Sequence, residues 1–136
     1  IPATKQLLIL DSCKSGAAVG VLGRYYAARS GLEEIRSQQL LAKTSGTFLI
    51  AATKADDYAY EVPELGHGVL TFAILEALGK TKKSEVEVPD QVTVNDLLRS
   101  VSSRVPVLSQ KYQGVNQQVL QYSCGQDFLL EDRGRR

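Results

Sequence analysis

Two short aliphatic runs constrain the fold of this 136-residue chain more than any other feature. QLLIL, from Gln6 to Leu10, and TFLIAAT, from Thr47 to Thr53, would place apolar side chains on both faces of an extended strand. Such a strand has to be covered on both sides, which is typical of parallel sheets flanked by helices. The segments that follow each run therefore have to supply the covering helices.

Helical patterns follow both runs. After the first, VLGRYYAARS and LEEIRSQQLLAK predict two helices, although the glycines at 16, 20 and 23 weaken the first. After the second, ELGHGVLTFAILEALGK predicts a helix that Gly79 ends. The order strand, helix, helix, strand, helix, helix, strand predicts an α/β layer fold with a mainly parallel sheet.

The last third of the chain supplies the fourth helix and the third strand of that order. Residues 80–91, KTKKSEVEVPDQ, predict an exposed loop with a short strand in VEV. Thr93 and Asp96 have the spacing of a capping box at the start of a helix, and Pro106 is expected to end that helix. QQVLQYS then alternates in polarity and predicts a last strand.

The composition excludes several function classes. Sixteen basic and fifteen acidic residues leave a net charge of +1, so no overall field favours nucleic acid or an anionic membrane. No apolar run approaches the roughly 20 residues of a membrane span, and IPATKQ lacks the pattern of a signal peptide. Two isolated cysteines and one histidine make a disulfide scaffold or a zinc site improbable, so we expect a reducing, cytoplasmic setting.

A cysteine lies just past the first strand, in LLILDSCKSGAA. Active sites of open parallel sheets gather at the carboxyl ends of strands, where a helix N-terminus favours a thiolate. Cys13 is therefore a candidate nucleophile, and Gly16 would let backbone N–H groups form an oxyanion site. The alternative is an inert buried cysteine. Asp11 favours the interpretation of Cys13 as a nucleophile, because a carboxylate at a strand tip needs a partner or a solvated pocket. Asp11 can also simply cap a turn.

Three blocks of the sequence carry a family resemblance. DSCKSG after an aliphatic strand resembles the nucleophile motif of the caspase-like cysteine peptidases of family C14, in particular metacaspases and bacterial orthocaspases. TFLIAATKADDYAYEVPELGHGVLTFAILEAL resembles the next core strand, the substrate-binding loop and the following helix. RVPVLSQKYQG and GQDFLL resemble the tail of bacterial members. The likeness covers most of the chain, in order.

This resemblance implies a caspase-like three-layer α/β fold in which residues 1–136 are the C-terminal part of one peptidase domain. It implies that Cys13 is the catalytic cysteine, with Gly16 near the oxyanion position. It also implies that Asp11 lines the pocket for the substrate residue before the cleaved bond. Glu61 takes the position where aspartate-specific caspases carry an arginine, so the pocket is expected to be acidic and to bind Lys or Arg.

The loop after the second strand holds further candidates for substrate binding. The resemblance places Asp56 and Asp57 where one of them would add to the pocket, and Tyr58 and Tyr60 where they would wall the neighbouring subsite. The two aspartates can equally be solvated turn acids. Some metacaspase-like enzymes need calcium, which makes calcium the one candidate cofactor, although no EF-hand spacing is present.

The catalytic base is missing from the expected place. In this family the histidine lies upstream of the nucleophile, whereas the single histidine here, His67, precedes a helix and is expected to be structural, capping that helix. The resemblance therefore implies a fragment that pairs with an upstream piece of the same peptidase and arises by autoprocessing at basic residues such as those of the RGRR end. The alternative is a catalytically inactive caspase-like domain that serves as a regulatory or assembly module. A flavodoxin-like binding domain is disfavoured, because SGAAVG lacks a phosphate-binding fingerprint.

Overall fold

A computed structural model of the chain describes residues 4–11, 46–52 and 62–134. In chain order the elements are β1 (Lys5–Leu10), β2 (Gly46–Ala52), α1 (Val69–Ala77), β3 (Gln91–Thr93), α2 (Val94–Gln113), β4 (Val119–Gly125) and β5 (Leu129–Asp132). Strands β1, β2 and β4 form one sheet in that order, and β3 pairs with β5 in a second sheet. The fold is therefore of the mixed α/β class, as the sequence predicts.

Strand β2 lies between its two neighbours in the three-stranded sheet. It runs parallel to β1, with Leu10 opposite Ala51, so both strands end at the same edge of the sheet. It runs antiparallel to β4, with Ala52 opposite Val119. Among the described strands only the β1–β2 pairing is parallel, so the mainly parallel sheet and the three-layer arrangement stay predictions.

The two aliphatic strands, β1 and β2, differ in how deeply their side chains are buried. β2 is covered on both faces, as predicted: Phe48 and Ile50 on one face and Ala51 on the other are at most 1% exposed. The same prediction is wrong for β1, where Leu8 and Ile9 are 44% and 41% exposed. The reason is position, because β1 pairs with one neighbour only among the described strands and lies at the edge of their sheet.

The hydrophobic core joins one face of β2 to the helices. Phe48 meets the Phe128 ring edge to face, with 5.6 Å between ring centroids, which also ties the β4–β5 connection to the sheet. Helix α1 is buried along its whole length except at Thr71 and Leu75. The two helices and the segments directly before them contribute these buried core residues: Val62, Leu65, Val69, Leu70, Phe72, Ala73, Val92, Val94, Leu97, Val101, Val105 and Leu108.

For helix α2, the predicted start is confirmed and the predicted end is wrong. The Thr93 hydroxyl accepts from the Asp96 backbone N–H, and the Asp96 side chain accepts from the Thr93 backbone N–H, which is the predicted capping box. The expectation that Pro106 ends the helix is wrong, because α2 continues to Gln113 and ends at Gly114 with φ of 68°. Burial of Val105 and Leu108 on both sides of the proline holds the helix together despite the missing hydrogen bond.

The segment between α1 and β3 is a loop, as predicted, but the short strand expected in VEV is absent from it. Glu85 and Val86 are instead held by hydrogen bonds to side chains: the Glu85 backbone N–H donates to Glu76, and the Val86 backbone N–H donates to the Ser84 hydroxyl. Backbone groups that bond to side chains in this way have no need of a strand partner. Gly79, with φ of 62°, follows α1 and ends it as predicted.

Candidate active site

Asp11 directly follows β1, at the edge where β1 and β2 both end. The Thr71 hydroxyl, in the first turn of α1, donates a hydrogen bond of 2.5 Å to Oδ2 of Asp11. Sixty residues separate the two along the chain, so this bond joins the end of the sheet to the start of a helix. The structure thus places a carboxylate at the strand end where active sites of α/β folds form.

The helix end beside Asp11 has no side-chain cap of its own. Gly68 is the N-cap residue of α1, in extended conformation, and no acidic residue lies in the first turn. A Cβ added at Gly68 would lie 3.4 Å from Oδ2 of Asp11, so the carboxylate contacts the helix N-terminus closely. Negative charge is stabilised at this end of a helix. Asp11 therefore supplies from another element the acid that the helix lacks.

The rest of the Asp11 carboxylate remains open. Its side chain is exposed, whereas Thr71 is half-buried. Within the described ranges, Thr71 is the only residue that donates a hydrogen bond to it. Thr71 therefore anchors one oxygen, and because each carboxylate oxygen can accept more than one hydrogen bond, the exposed carboxylate can still receive a cationic group.

His67 lies one residue before this helix N-cap and is exposed. Its backbone carbonyl accepts from the Val62 backbone N–H at 3.4 Å, which closes the turn between the two residues. The expectation that His67 caps the helix is wrong, because Gly68 occupies the N-cap and no side chain makes a capping hydrogen bond there. Glycine offers no side-chain acceptor for the first backbone N–H groups of the helix.

The remaining residues predicted for the site lie outside the described part of the chain. They are the candidate nucleophile Cys13, the oxyanion-site residue Gly16, and the loop residues Asp56, Asp57, Tyr58, Tyr60 and Glu61. Both predicted helices between Cys13 and Lys43 fall outside it as well. The structure therefore places one predicted site residue, Asp11, and adds Thr71 and Gly68 beside it.

Sequence reasoning missed Thr71, although a signal for it exists. Thr71 and Glu76 are the two polar residues in the nine-residue helix VLTFAILEA. Both have partners on other elements: Thr71 bonds to Asp11, and Glu76 bonds to Arg104. A polar residue in an otherwise apolar helix has to satisfy its hydrogen bonds somewhere, so each of the two marks a tertiary contact.

An ion-pair network fixes the other end of α1. The Arg104 guanidinium donates to both carboxylate oxygens of Glu76, at 2.6 and 3.0 Å, and also approaches Glu85 at 3.5 Å. Lys111 donates to Glu85 at 2.7 Å. The hydrogen bond with Glu76 raises the pKa of Arg104 against the opposing effect of burial, and the hydrogen bond with Lys111 lowers the pKa of Glu85. Helix α1 is therefore anchored to α2 and to the loop that follows α1.

The described residues offer no site for calcium of the kind that needs clustered acids. No group of three or more His, Cys, Asp or Glu residues that could hold a metal ion occurs within 4–11, 46–52 and 62–134. Among the helices that the structure describes, none has the length and apolar character that a bilayer crossing requires. Cys124, on β4, is exposed and free.

Comparison with known proteins gives one match. The family model described as "Caspase domain" (peptidase C14) matches residues 2–128. That range contains the described site and all of the predicted site residues. No curated protein and no solved structure gives a significant match.

Proposed function

Because this chain belongs to the caspase-domain family of C14 peptidases, we propose that it carries the nucleophile and the specificity pocket of a cysteine endopeptidase that cleaves after Arg or Lys. Family membership itself indicates cysteine peptidase activity and protein substrates. The preference for basic residues and the assignment to a metacaspase or orthocaspase type are our proposals.

The observation that carries the proposal is the position of Asp11. Its carboxylate lies at the common end of β1 and β2, with one oxygen bonded to Thr71, and the residue is exposed. Only one residue separates Asp11 from Cys13 in the sequence. A guanidinium or ammonium group that pairs with Asp11 would therefore belong to a substrate residue next to the bond that Cys13 attacks. The same negative charge would repel aspartate.

The proposed reaction is acyl transfer through a thioester. A histidine accepts the Cys13 thiol proton, and Sγ bonds to the substrate carbonyl carbon while negative charge develops on the carbonyl oxygen. Backbone N–H groups near Gly16 stabilise that oxygen. The C–N bond then breaks as the histidine protonates the departing amine. Water next attacks the thioester carbon and gives one proton to the histidine. The C–S bond then breaks, the peptide leaves with a new C-terminal carboxyl group, and the histidine returns the proton to the Cys13 thiolate.

The histidine in this proposal belongs to an upstream segment of the same peptidase domain, of which residues 1–136 form the C-terminal part. The resemblance supports this, since the chain has a single histidine, His67, which the family pattern does not place at the base position. Autoprocessing at basic residues would separate the two segments. We further propose that Glu61, with Asp56 or Asp57, makes the pocket acidic and that Tyr58 and Tyr60 wall the adjacent subsite. We also propose a reducing, cytoplasmic setting, because two cysteines in 136 residues are too few for a disulfide scaffold.

Peptide cleavage by the chain together with its upstream segment tests the proposal. We expect hydrolysis of arginyl and lysyl fluorogenic peptides and none of the matching aspartyl peptide. Cys13→Ala should abolish hydrolysis, whereas Cys124→Ala should leave it unchanged, because Cys124 lies on β4 rather than beside Asp11. A folded wild-type protein that cleaves none of the three peptides would support the alternative of an inactive regulatory or assembly module.

A further inference from the structure

We propose that Thr71 is a positioning residue that orients the Asp11 carboxylate and thereby favours arginine over lysine at the cleaved bond. This inference rests on the proposed function and names a determinant of its specificity. The observation behind it is the 2.5 Å hydrogen bond from the Thr71 hydroxyl to Oδ2 of Asp11, which joins α1 to the end of β1.

Thr71 lies on a helix that the hydrophobic core holds in place. Its neighbours in α1, Leu70, Phe72 and Ala73, are at most 2% exposed and hold the helix in the core. A threonine in a helix has two main χ1 rotamers, so the hydroxyl has few positions once the helix is fixed, and the bond to Asp11 uses one of them. The ion pair between Glu76 and Arg104 holds the same helix from its other end. The core therefore fixes the helix that carries the donor.

Asp11, in contrast, has only this hydrogen bond to fix its carboxylate within the part of the chain that the structure describes. Its side chain is exposed at a strand end, and within the described ranges Thr71 alone donates a hydrogen bond to it. Without that bond the carboxylate would rotate about its terminal torsion, which has a broad energy profile. The hydroxyl thus removes rotational freedom before a substrate arrives, which lowers the entropic cost of binding.

Arginine and lysine respond differently to this restraint. A guanidinium binds a carboxylate through two parallel hydrogen bonds, which require both oxygens in one defined plane. An ammonium group is a compact charge that needs one oxygen in almost any orientation. Fixing the plane of Asp11 therefore helps arginine more than lysine.

Gly68 lies beside the carboxylate at the N-terminus of α1. A Cβ at this position would contact both oxygens of Asp11, at 3.4 and 3.9 Å. The backbone of Gly68, with φ of −61° and ψ of 155°, would allow any residue. The glycine is therefore not required by backbone conformation, and a Cβ in its place would make ordinary van der Waals contact with the carboxylate.

The test uses the assembled protein with its upstream segment and compares arginyl with lysyl peptides. Thr71→Val and Thr71→Ala remove the hydroxyl, Thr71→Ser keeps it, and Thr47→Val makes the same change at the opposite end of β2. Both hydroxyl-free variants should raise KM for the arginyl peptide about tenfold and for the lysyl peptide about twofold or less, with kcat little changed. Thr71→Ser and Thr47→Val should keep the wild-type ratio of the two kcat/KM values.

The ratio separates a positioning role from a structural one. Partial unfolding lowers kcat for both peptides equally and leaves their kcat/KM ratio unchanged, so an unchanged ratio in Thr71→Val and Thr71→Ala would overturn the inference. Asp11→Asn should make a further Thr71→Val change silent, because the hydroxyl would no longer orient a charge. Failure of the proposed function looks different: the wild-type protein itself would cleave neither peptide.

Discussion

Arg104 in α2 donates two hydrogen bonds to the carboxylate of Glu76 in α1, which is 1% exposed. The pair joins the two helices, and the Glu85 backbone N–H adds a third donor to the same carboxylate at 3.1 Å. Since α1 also carries Thr71, the pair holds the helix that fixes Asp11. Its loss would therefore affect both stability and the candidate site.

Removing one member of this pair should be severely destabilising. Arg104→Ala leaves a buried carboxylate without its cation, which costs about 3 kcal/mol or more of the free energy of unfolding, measured by urea denaturation. Arg104→Lys should cost less, because lysine keeps the charge but loses the paired geometry. The double variant Glu76→Leu, Arg104→Met should be more stable than Arg104→Ala. A double variant as unstable as the single one would show that the buried charge is not the cause.

Asp127 should make the stability of the fold depend on acid pH. Burial raises the pKa of its carboxyl group, but hydrogen bonds from Thr93, Asn95 and Phe128 outweigh it, and the net pKa lies below the ordinary 3.8. A carboxyl group with a lowered folded-state pKa stabilises above its unfolded-state pKa and loses this effect as pH falls through the folded-state value. Asp127→Asn should therefore lower the urea midpoint at pH 7 and have little effect near pH 2.

The matched control for that experiment is Asp90→Asn, at an exposed acid whose side chain makes no hydrogen bond within the described ranges. Its unfolding midpoint should match that of the wild-type protein at both pH values. An Asp127→Asn midpoint that stays below the wild-type midpoint by the same amount at pH 7 and pH 2 would contradict the assignment to ionisation.

Asp11→Asn should separate substrate binding from catalysis. The amide keeps the shape and can still accept from Thr71, but it lacks the charge that pairs with a basic substrate residue. We expect kcat/KM for an arginyl peptide to fall about 30-fold or more, which corresponds to the loss of a charge-assisted hydrogen bond. Asp90→Asn serves again as the control. An equal fall of kcat/KM in Asp11→Asn and Asp90→Asn would show that Asp11 is not part of the substrate pocket.

His67→Asn should leave peptide cleavage almost unchanged in the protein assembled with its upstream segment. The structure gives His67 an exposed side chain and a role in the turn through its backbone carbonyl, which asparagine retains. A complete loss of cleavage with an unchanged unfolding midpoint would make His67 the catalytic base and would contradict the upstream histidine.

Strong local signals explain which parts of the fold could be predicted. The buried run of β2, the capping box of Thr93 and Asp96, and the glycine after α1 depend on neighbours in the sequence, and all three are confirmed. Pro106 failed as a stop signal because tertiary burial of α2 outweighs one lost hydrogen bond. The three-residue β3 and the four-residue β5 exist through pairing with each other, which a single-sequence pattern does not reveal.

The candidate site likewise contains features that the local sequence predicts and features that depend on tertiary contacts. The position of Asp11 at the strand end could be predicted, because a charged residue after an aliphatic run is conspicuous, while its role in the pocket stays a prediction. Thr71 carries a signal for some tertiary contact, but its pairing with Asp11 could not be predicted, because a contact between residues 60 positions apart depends on how α1 meets the sheet. The same limit applies to Gly68, whose meaning lies in its distance from a carboxylate on another element.

Labelling with an arginyl chloromethyl ketone tests the central claim most directly, because the chain holds only two cysteines, Cys13 and Cys124. With the upstream segment present, peptide mass spectrometry should find the arginyl adduct on Cys13 and none on Cys124, while iodoacetamide should modify the exposed Cys124. The matching aspartyl reagent should leave Cys13 unmodified. An arginyl adduct on Cys124 alone, or none on either cysteine, would contradict the proposed peptidase.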